Sequence, residues 1–595
     1  MISITIQNIL GVFLLVAPFL FVVFWKDKKK AFLQLLFFWF LFHIVFNLTT
    51  QFFGVFYYLT AVLGNIAFIA CIFLWCFFTK KKASFDFKKI DWMIVFIFLV
   101  AFLCFYQIHF NYSGKISLAT DNVPSYHNVF KMVYPYPYFS DEWYAVSFVK
   151  TVISTHGLPL IASISKLEFV NLEMFFHSLI SGFFLVVNIN PVFTYTTVSI
   201  FFNILIVILA YVILRINDVK KIVAGISSLS IIYIVSGANL PGIWHFIPVT
   251  SGVILFLLAL GLLFSKKIYL ALATLVMGCF FYPPFIFLYA ILFALFLIFE
   301  TFWKKVKDNY KTILLWLIVS LPVIFFLAVV VRYTAPIFAT SRIFFLSFSG
   351  FNRPRLFGYN IIPFNVIIFA LISIPFLYKK SKWFFGMVTV CTLYWIGYLL
   401  TQYRFFVEFE RVVYISSILF CIASAFGFQE FLKFLDKKFS KTKVPISRYV
   451  LASSLLIFVI LIPFYTYFDG WKDITYTNVV NRSKLYPKSQ ANKYLIEEDL
   501  NIFKDIRGKN FLSIPWKGTV IGVTTDNFPA VTKEGTVSLG EIGNVDNFMK
   551  SSCLVKQDMA KEMKLDYIYI TEFLCQGFEE VTRSSEGFIL YKVQK

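Results

Sequence analysis

Long apolar runs separated by short basic clusters dominate the chain from its start to about residue 467. Many of these runs have about 20 residues, the length that an α-helix needs to cross the hydrocarbon core of a bilayer. The clusters between them are rich in lysine and lie at 26–30, 80–89, 215–221, 266–267, 304–305, 379–382 and 433–448. The pattern predicts a polytopic α-helical membrane protein with about 14 spans.

The basic clusters also predict the sidedness of the spans, because cytoplasmic loops of membrane proteins are enriched in Lys and Arg. All clusters lie on one side if the short apolar helix Asn171–Asn188 rests at the outer interface and does not cross. The span from Trp92 to about Tyr106 then runs outward and delivers the first large external loop, 107–190. On this assignment Ser140 and Ser489 are outside and Ser440 is inside, in a plasma (cytoplasmic) membrane.

We therefore divide the chain into three parts. Residues 1–91 are amino-terminal spans that precede the main unit, 92–467 form a membrane core, and 468–595 form a tail on the extracytoplasmic face. The tail loses the membrane pattern and alternates helix-like polar stretches, 489–505 and 547–565, with four apolar strand-like segments. Those segments read FLSIP, TVIGVTT, DYIYITEF and GFILYKV. This alternation predicts a small α/β domain.

Composition agrees with this division. The chain is 59% hydrophobic and 21% aromatic, more apolar surface than a soluble fold of 595 residues can bury. Its formal charge of +22 is concentrated in the membrane part, since residues 470–595 carry 17 basic and 16 acidic residues. The charge is a topology signal, and we expect no nucleic-acid partner.

Cys553 and Cys575 lie in the tail, whereas the other six cysteines fall in apolar runs. If the tail is outside, these two are in an oxidising compartment. A helix followed by a strand separates them, and such a hairpin brings its ends together. We expect a disulfide between them, with two unpaired thiols as the alternative.

Adjacent carboxylates, Asp141 and Glu142, stand out in the external loop within the aromatic stretch Tyr134–Tyr144. A helix-like run from Trp143 to His156 follows them. Carboxylates here can act as a general base or bind a cation, or they can cap a helix whose dipole favours them. Flat aromatic faces beside them suit a sugar ring. The faces we expect to stack on a sugar are those of Tyr138, Trp143 and Tyr144.

Besides the carboxylate pair, polar residues from the E-x-x-x-H helix, from the loop at 244–245 and from an arginine group fall on the outer face. Glu173 and His177 are spaced i, i+4, which places them on one helix face for binding an acceptor or a metal ion; His245, after Trp244, lies in another external loop. Lone interfacial histidines more often make one satisfied hydrogen bond.

The arginines of that group run against the positive-inside tendency. They are Arg332, Arg342, Arg353 and Arg355 in one external loop and Arg404 and Arg411 in the next. A guanidinium group binds phosphate in a bidentate fashion, so the group predicts a phosphate ligand. The alternatives are lipid head groups or pairing with Glu408 and Glu410.

Taken together, the Asp141-Glu142 pair, the following Trp-Tyr and His-Gly-Leu-Pro, and the E-x-x-x-H helix resemble the GT-C membrane glycosyltransferases. The closest resemblance is to the branch of protein O-mannosyltransferases and aminoarabinose transferases. It implies transfer of a sugar from a polyprenyl-phosphate donor to a glycan, lipid or protein acceptor, with inversion. Three spans precede the catalytic-loop span here, and the family's HPPL-like motif reads LEMFFHSL.

For individual residues the resemblance implies that Asp141 is the catalytic base and that Arg404 or Arg411 binds the donor phosphate, with Arg353 and Arg355 next in line. It also leaves room for a divalent cation, Mg²⁺ or Mn²⁺, at Asp141 and Glu142. Glu142 is expected to hold either this cation or the acceptor. The alternatives are a transporter or lipid flippase, or a noncatalytic envelope-assembly protein. Ion-coupled transport favours ionisable groups at the bilayer midplane, and these spans contain almost none.

Overall fold

Helices make up most of the membrane part of the chain. The computed structural model describes residues 5–25, 27–79, 91–110, 112–118, 125–132, 137, 140–166, 171–234, 245–302, 347–348, 361–401, 403–404, 407–438, 447, 449–451, 453–454, 497–532, 540, 543–584 and 587–594. The expected span at 312–331 lies outside these ranges, as does most of the expected span from Tyr449 to about 467.

Up to the first long gap, the helices follow the apolar runs closely. They are α1 (Ile6–Leu20), α2 (Lys28–Phe52), α3 (Tyr58–Phe78), α4 (Trp92–Phe110), α5 (Ser140–Thr155), α6 (Met174–Val187), α7 (Pro191–Ile216), α8 (Lys221–Leu229), α9 (Pro248–Phe264), α10 (Ile268–Phe281) and α11 (Ile286–Phe296). Local chemistry explains several of the ends. The Thr5 and Asn8 side chains form a reciprocal cap on α1, and Asn190 caps α7 ahead of Pro191.

Three more helices follow: α12 (Phe364–Lys380), α13 (Lys382–Thr401) and α14 (Phe409–Lys438). In the described part of the chain, seven helices are long and apolar enough to cross a membrane, and five apolar helices are shorter. The structure is therefore mostly helical with several candidate spans, and the number fourteen stays a prediction. The helix expected at Asn171–Asn188 is α6, which is among the shorter ones.

Small β-structures lie between the helices. Strands β1 (Tyr112–Leu118) and β2 (Ser125–Met132) form an antiparallel hairpin within the loop 107–190, which the sequence analysis expects outside. Strands β3 (Ser347–Phe348) and β4 (Tyr403–Arg404) pair antiparallel. The second pair joins the two loops in which the sequence analysis finds the arginines.

Contacts at one end of the helices involve residues from the basic clusters. Lys29 donates to the carbonyl oxygen of Arg215 (3.1 Å), and Lys221 lies 3.6 Å from Asp91. Lys380 donates to the carbonyl oxygen of Asn217. Clusters that are far apart in the sequence thus meet at a single end, as the sidedness argument requires.

The opposite end gathers the loops expected outside. The Asn8 side chain of α1 donates to the carbonyl oxygens of Val187 and Asn188, at 2.9 and 3.0 Å, just before α7. Gly11 makes this approach feasible, because a Cβ atom there would lie 2.3 Å from the carbonyl oxygen of Val186. Helix α7 has 26 residues, so its two ends are about 39 Å apart at a rise of about 1.5 Å per residue.

The tail forms a small α/β domain. Its elements are α15 (Glu497–Ile502), β5 (Asn510–Ser513), α16 (Pro515–Thr525), β6 (Phe528–Pro529), α17 (Asn544–Lys550), α18 (Cys553–Glu562), β7 (Tyr567–Thr571), β8 (Phe578–Arg583) and β9 (Phe588–Val593). The five strands form one mixed sheet in the order β6-β5-β7-β9-β8. Strand β5 pairs parallel with β6 and β7, and β9 pairs antiparallel with β7 and β8.

One expected strand is wrong. The segment TVIGVTT forms the carboxyl-terminal part of α16, which starts at Pro515, where proline's missing N–H has no helical partner to lose. Glycines let this helix pack tightly, since a Cβ atom at Gly518 would lie 2.7 Å from the carbonyl oxygen of Val531. Packing therefore overrides the strand preference of the β-branched residues.

Helix predictions in the tail are met in part. The stretch expected to be helical at 547–565 contains two helices, α17 and α18. In the stretch 489–505, α15 covers the part from Glu497 onward, and the preceding residues lie outside the described ranges. Cys553 and Cys575 are joined in a disulfide with their Cα atoms 5.3 Å apart.

Helix α5 lies against both parts of the molecule. Lys150 donates to Asp526 Oδ1 (2.5 Å) and to the carbonyl oxygen of Val523 (2.6 Å) at the end of α16. On its other side, His156 Nδ1 lies 3.0 Å from the carbonyl oxygen of Phe56, between α2 and α3. Tail residues Phe503 and Val520 share a contiguous apolar core with α5.

Candidate active site

The first turn of α5 carries both carboxylates of the pair. Helix α5 starts at Ser140, so Asp141 and Glu142 lie where the helix dipole stabilises negative charge. Neighbouring residues on a helix point about 100° apart, and the two side chains have different surroundings. Asp141 is partly exposed, whereas Glu142 is 2% exposed.

Glu142 is bound by groups from two other elements. Its Oε1 accepts hydrogen bonds from the backbone N–H of Phe246 (3.0 Å) and from the Ser199 hydroxyl of α7 (3.1 Å). His245 Nδ1 lies 3.9 Å from Oε2. The backbone of Phe246 makes a second hydrogen bond, because the Tyr195 hydroxyl donates to the Phe246 carbonyl oxygen (2.5 Å). Glu142 thus ties α5 to α7 and to the segment before α9.

Aromatic residues beside the pair are buried. Trp143 has no exposed surface and Tyr144 is 7% exposed. A ring inside the protein core cannot stack on a sugar, so the expected role of Trp143 is not met in this structure and Tyr144 offers little surface for it. Tyr138 and Trp244 lie outside the described residues.

Glu173 and His177 occupy different environments. Glu173 precedes α6 as its cap residue, and His177 lies inside the helix and is 3% exposed. The side-chain amide oxygen of Asn171 accepts a hydrogen bond from the backbone N–H of Glu173 (3.0 Å), and its amide nitrogen donates to the Pro159 carbonyl oxygen (2.8 Å). This fixes the amide orientation, so its nitrogen donates to His177 Nδ1 (3.0 Å). An imidazole that accepts at Nδ1 is neutral and uses that nitrogen within the protein.

Arg411 lies in the first turn of α14. Its Nε is 3.2 Å from Glu408 Oε2, the pairing that the sequence analysis keeps as an alternative. The guanidinium group also interacts electrostatically with Asp141 and with Glu410. The structure therefore brings together Asp141 and Arg411, which come from distant parts of the sequence.

The other arginines of the predicted set are not placed in the same way. The backbone of Arg404 pairs with Ser347 in the β3–β4 ladder. Arg353 and Arg355 lie outside the described residues, as do Arg332 and Arg342. Their phosphate-binding role stays a prediction.

Tyr282 is a residue that the sequence analysis misses. It follows α10, ahead of Pro283, and is 9% exposed. Burial raises the pKa of its hydroxyl, and Arg411, Glu408 and Glu173 all act on it electrostatically. The Pro283-Pro284 break between two apolar runs is the local signal that could have drawn attention to this position.

A divalent cation at Asp141 and Glu142 stays a prediction. Glu142 Oε1 already accepts two hydrogen bonds, and its Oε2 faces His245. Across the part of the chain that the structure describes, no group of three or more His, Cys, Asp or Glu side chains could hold a metal ion. The cation therefore enters no step of the mechanism.

Comparisons with known proteins find similarity at the level of structure. No protein-family model matches the sequence, and no curated protein matches it. Two crystal structures of the Archaeoglobus fulgidus oligosaccharyltransferase are similar to this chain. One, tethered with an acceptor peptide containing the NVT sequon via a disulfide bond, has a TM-score of 0.40 and 14% identity, with 81% of this chain and 69% of that chain covered.

The other structure, a complex with Zn and sulfate, has a TM-score of 0.42 and 13% identity, with 84% and 73% of the two chains covered. At these TM-scores the similarity carries no argument about the site. The functional argument depends on the residues of this chain.

Proposed function

We propose that this protein is a membrane glycosyltransferase, similar to the GT-C enzymes, that transfers a sugar from a polyprenyl-phosphate donor to an acceptor at the extracytoplasmic face. The observation that carries the proposal is that Asp141 and Arg411, from distant parts of the sequence, lie close enough to interact electrostatically. One is a partly exposed carboxylate at a helix start, suited to accept a proton. The other is a guanidinium group, suited to bind a phosphate.

Asp141 acts as the general base. It takes the proton from an acceptor hydroxyl as that oxygen attacks the anomeric carbon of the sugar. The bond between the anomeric carbon and the phosphate oxygen breaks, and the lipid phosphate leaves with the electron pair. A single displacement with one base inverts the anomeric configuration, unlike the two-carboxylate arrangement of retaining hydrolases.

Arg411 stabilises the negative charge that grows on the leaving phosphate. Glu408, 3.2 Å from its Nε, orients the guanidinium group. Glu142 holds α5 in place through Ser199 and Phe246 and does not itself touch the substrate.

The sidedness of the site follows from the charge pattern. The lysine-rich end is cytoplasmic by the positive-inside tendency, so Asp141 and the tail face the other side of the plasma membrane. An acceptor glycan, lipid or protein would reach Asp141 from that side. The resemblance to the O-mannosyltransferase and aminoarabinose transferase branch supports the lipid-phosphate donor.

The test uses the purified chain in proteoliposomes with a panel of radiolabelled polyprenyl-phosphate sugars and an extracted acceptor fraction. We expect release of free lipid phosphate that requires the acceptor. If instead the donor crosses the bilayer without losing its sugar, the protein is a lipid flippase. If the chain neither consumes nor moves any donor, a noncatalytic assembly role replaces the proposal.

A further inference from the structure

An apolar groove lies between α2 and α10. It encloses about 460 Å³, within the range of small-ligand sites. Its walls are apolar side chains with Tyr269 at one end. The lining residues are Leu41, Ile44, Val45, Leu48, Phe175, Tyr269, Leu272, Ala273, Val276, Met277 and Phe280.

The groove runs along the length of α10. Tyr269 lies near the start of that helix, just after the basic pair at 266–267, and Phe280 lies near its end. At a rise of about 1.5 Å per residue, these two positions are about 16 Å apart. Phe175 stacks on Phe280 at this end, with ring centroids 4.8 Å apart. The groove therefore runs from the basic end of the helix towards the opposite end.

This end of the groove adjoins a polar cluster formed by Glu173, Tyr282 and Arg411. Phe280 is two residues before Tyr282, and Phe175 is two residues after Glu173. Tyr282 interacts electrostatically with both Glu173 and Arg411. A lipid with a long hydrocarbon chain and a charged head group could therefore place its chain against the apolar wall and its head group next to the guanidinium group of Arg411.

We propose that this groove holds the hydrocarbon chain of the donor lipid while Arg411 binds its phosphate. The inference deepens the proposed function and rests on it for the identity of the occupant. One wall comes from α2, in the amino-terminal part of the chain that precedes the membrane core. Side chains on both walls are accessible to a bound lipid: Val45 of α2 is 56% exposed and Tyr269 of α10 is 66% exposed.

Photo-crosslinking tests the groove without requiring catalysis. The full chain in lipid nanodiscs is incubated with a polyprenyl phosphate that carries a diazirine along its hydrocarbon chain and is then irradiated, and the labelled peptides are identified by mass spectrometry. We expect label on peptides from α2 and α10. Excess unlabelled polyprenyl phosphate should remove it, and the same excess of phosphatidylglycerol should not.

Matched variants sharpen the test. Ala273→Phe fills the groove and should lower labelling of α2 and α10 by about tenfold, the order expected for a steric mismatch in an apolar site. Ala290→Phe places the same ring at an exposed position of α11 outside the groove and should leave labelling unchanged. Val45→Trp, from the opposite wall, repeats the effect if Ala273→Phe does not fold.

The labelling pattern and the transfer assay together distinguish the groove inference from the proposed function. Label confined to other helices, or label removed equally by phosphatidylglycerol, overturns the groove as a donor site and marks it as a seat for bulk lipid. Specific label on α2 and α10 in a chain that transfers no sugar supports the groove and overturns the proposed transfer. Sugar transfer without label in the groove overturns the inference and leaves the proposed function standing.

Discussion

Asp141 and Glu142 are adjacent in sequence, yet their different surroundings indicate different roles. Glu142 is buried and accepts hydrogen bonds from Phe246 and Ser199, whereas Asp141 stays partly exposed near Arg411. The sequence predicts a functional pair at the start of a helix, and the helix is present. It cannot separate the two roles, because the groups that bind Glu142 come from distant segments with no local signature.

Glu142→Ala should destabilise the protein, because it removes the acceptor of the Phe246 N–H and the Ser199 hydroxyl. Leaving such buried groups unsatisfied costs about 1–3 kcal/mol of folding free energy, which a lowered unfolding midpoint in detergent would show. Glu142→Gln keeps an acceptor oxygen and should retain most stability and turnover. A Glu142→Gln enzyme with normal stability and no turnover would instead place this carboxylate on the substrate.

Arg411→Lys should weaken binding of the donor phosphate although the positive charge remains. Lysine cannot form the two parallel hydrogen bonds of a guanidinium group, and we expect affinity to fall by about tenfold or more. The control is Arg583→Lys on the tail surface, where the arginine pairs with Glu572 and Glu580. Unchanged affinity in Arg411→Lys would move the phosphate site to Arg404 or to the Arg353/Arg355 loop.

At the scale of elements, α5 is held from several directions. His156 reaches the loop between α2 and α3, Lys150 reaches α16 of the tail, and Phe148 packs on the His177 ring of α6 with centroids 4.3 Å apart. These contacts fix the helix whose first turn carries Asp141. The tail is therefore a support for the site as well as a separate sheet.

Lys150→Met should loosen the contact between the tail and α5. The variant keeps an apolar stem but loses the ammonium group that binds Asp526 and the Val523 carbonyl oxygen. We expect amide hydrogen exchange in α16 to quicken by about tenfold or more, because a hydrogen bond to a charged group is lost. Lys561→Met, at an exposed position of the tail, is the control. Identical exchange in both variants would mean that Lys150 does not hold the tail.

Element prediction succeeds where the local pattern and the packing agree. Strands β5, β7 and β9 are largely buried. Strands β7 and β9 lie within predicted segments, and β5 starts one residue before the predicted segment FLSIP. Strand β8, FEEVTR, has mostly polar, exposed side chains and gives no strand signal. Helix α16 contains a run of β-branched residues that favours a strand, and contacts around Gly518 reverse that preference. Such contacts are set by the fold and are invisible in the local sequence.

At the scale of the whole molecule, the helices have two chemically different ends. Residues from the basic clusters meet around Arg215 and Asn217. Asn188, the end of α5 and the docked tail meet at the other end of α7. The sequence predicts this segregation from charge alone, because basic clusters recur after alternate spans. The count of spans is harder to predict, since short apolar helices such as α6 and α8 carry the same signal.

Cysteine labelling in intact cells tests which end faces outward. Ser154→Cys and Asp546→Cys, both at exposed positions, should react with a membrane-impermeant maleimide, and Asp218→Cys should react only after permeabilisation. The wild-type chain reports the background from its native cysteines. Labelling of Asp218→Cys in intact cells, with the other two unreactive, would invert the topology.

The most direct test of the central claim is the Asp141→Asn variant, assayed for donor binding and for sugar transfer with the same donor. Asparagine keeps the size of the side chain but cannot accept the proton, so turnover should fall by about 100-fold or more. Donor affinity and the unfolding midpoint should stay close to those of the wild type. Asp546→Asn, the same change at an exposed tail position, should leave turnover intact. Normal turnover in Asp141→Asn, or an equal loss in Asp546→Asn, would contradict the assignment of Asp141 as the catalytic base.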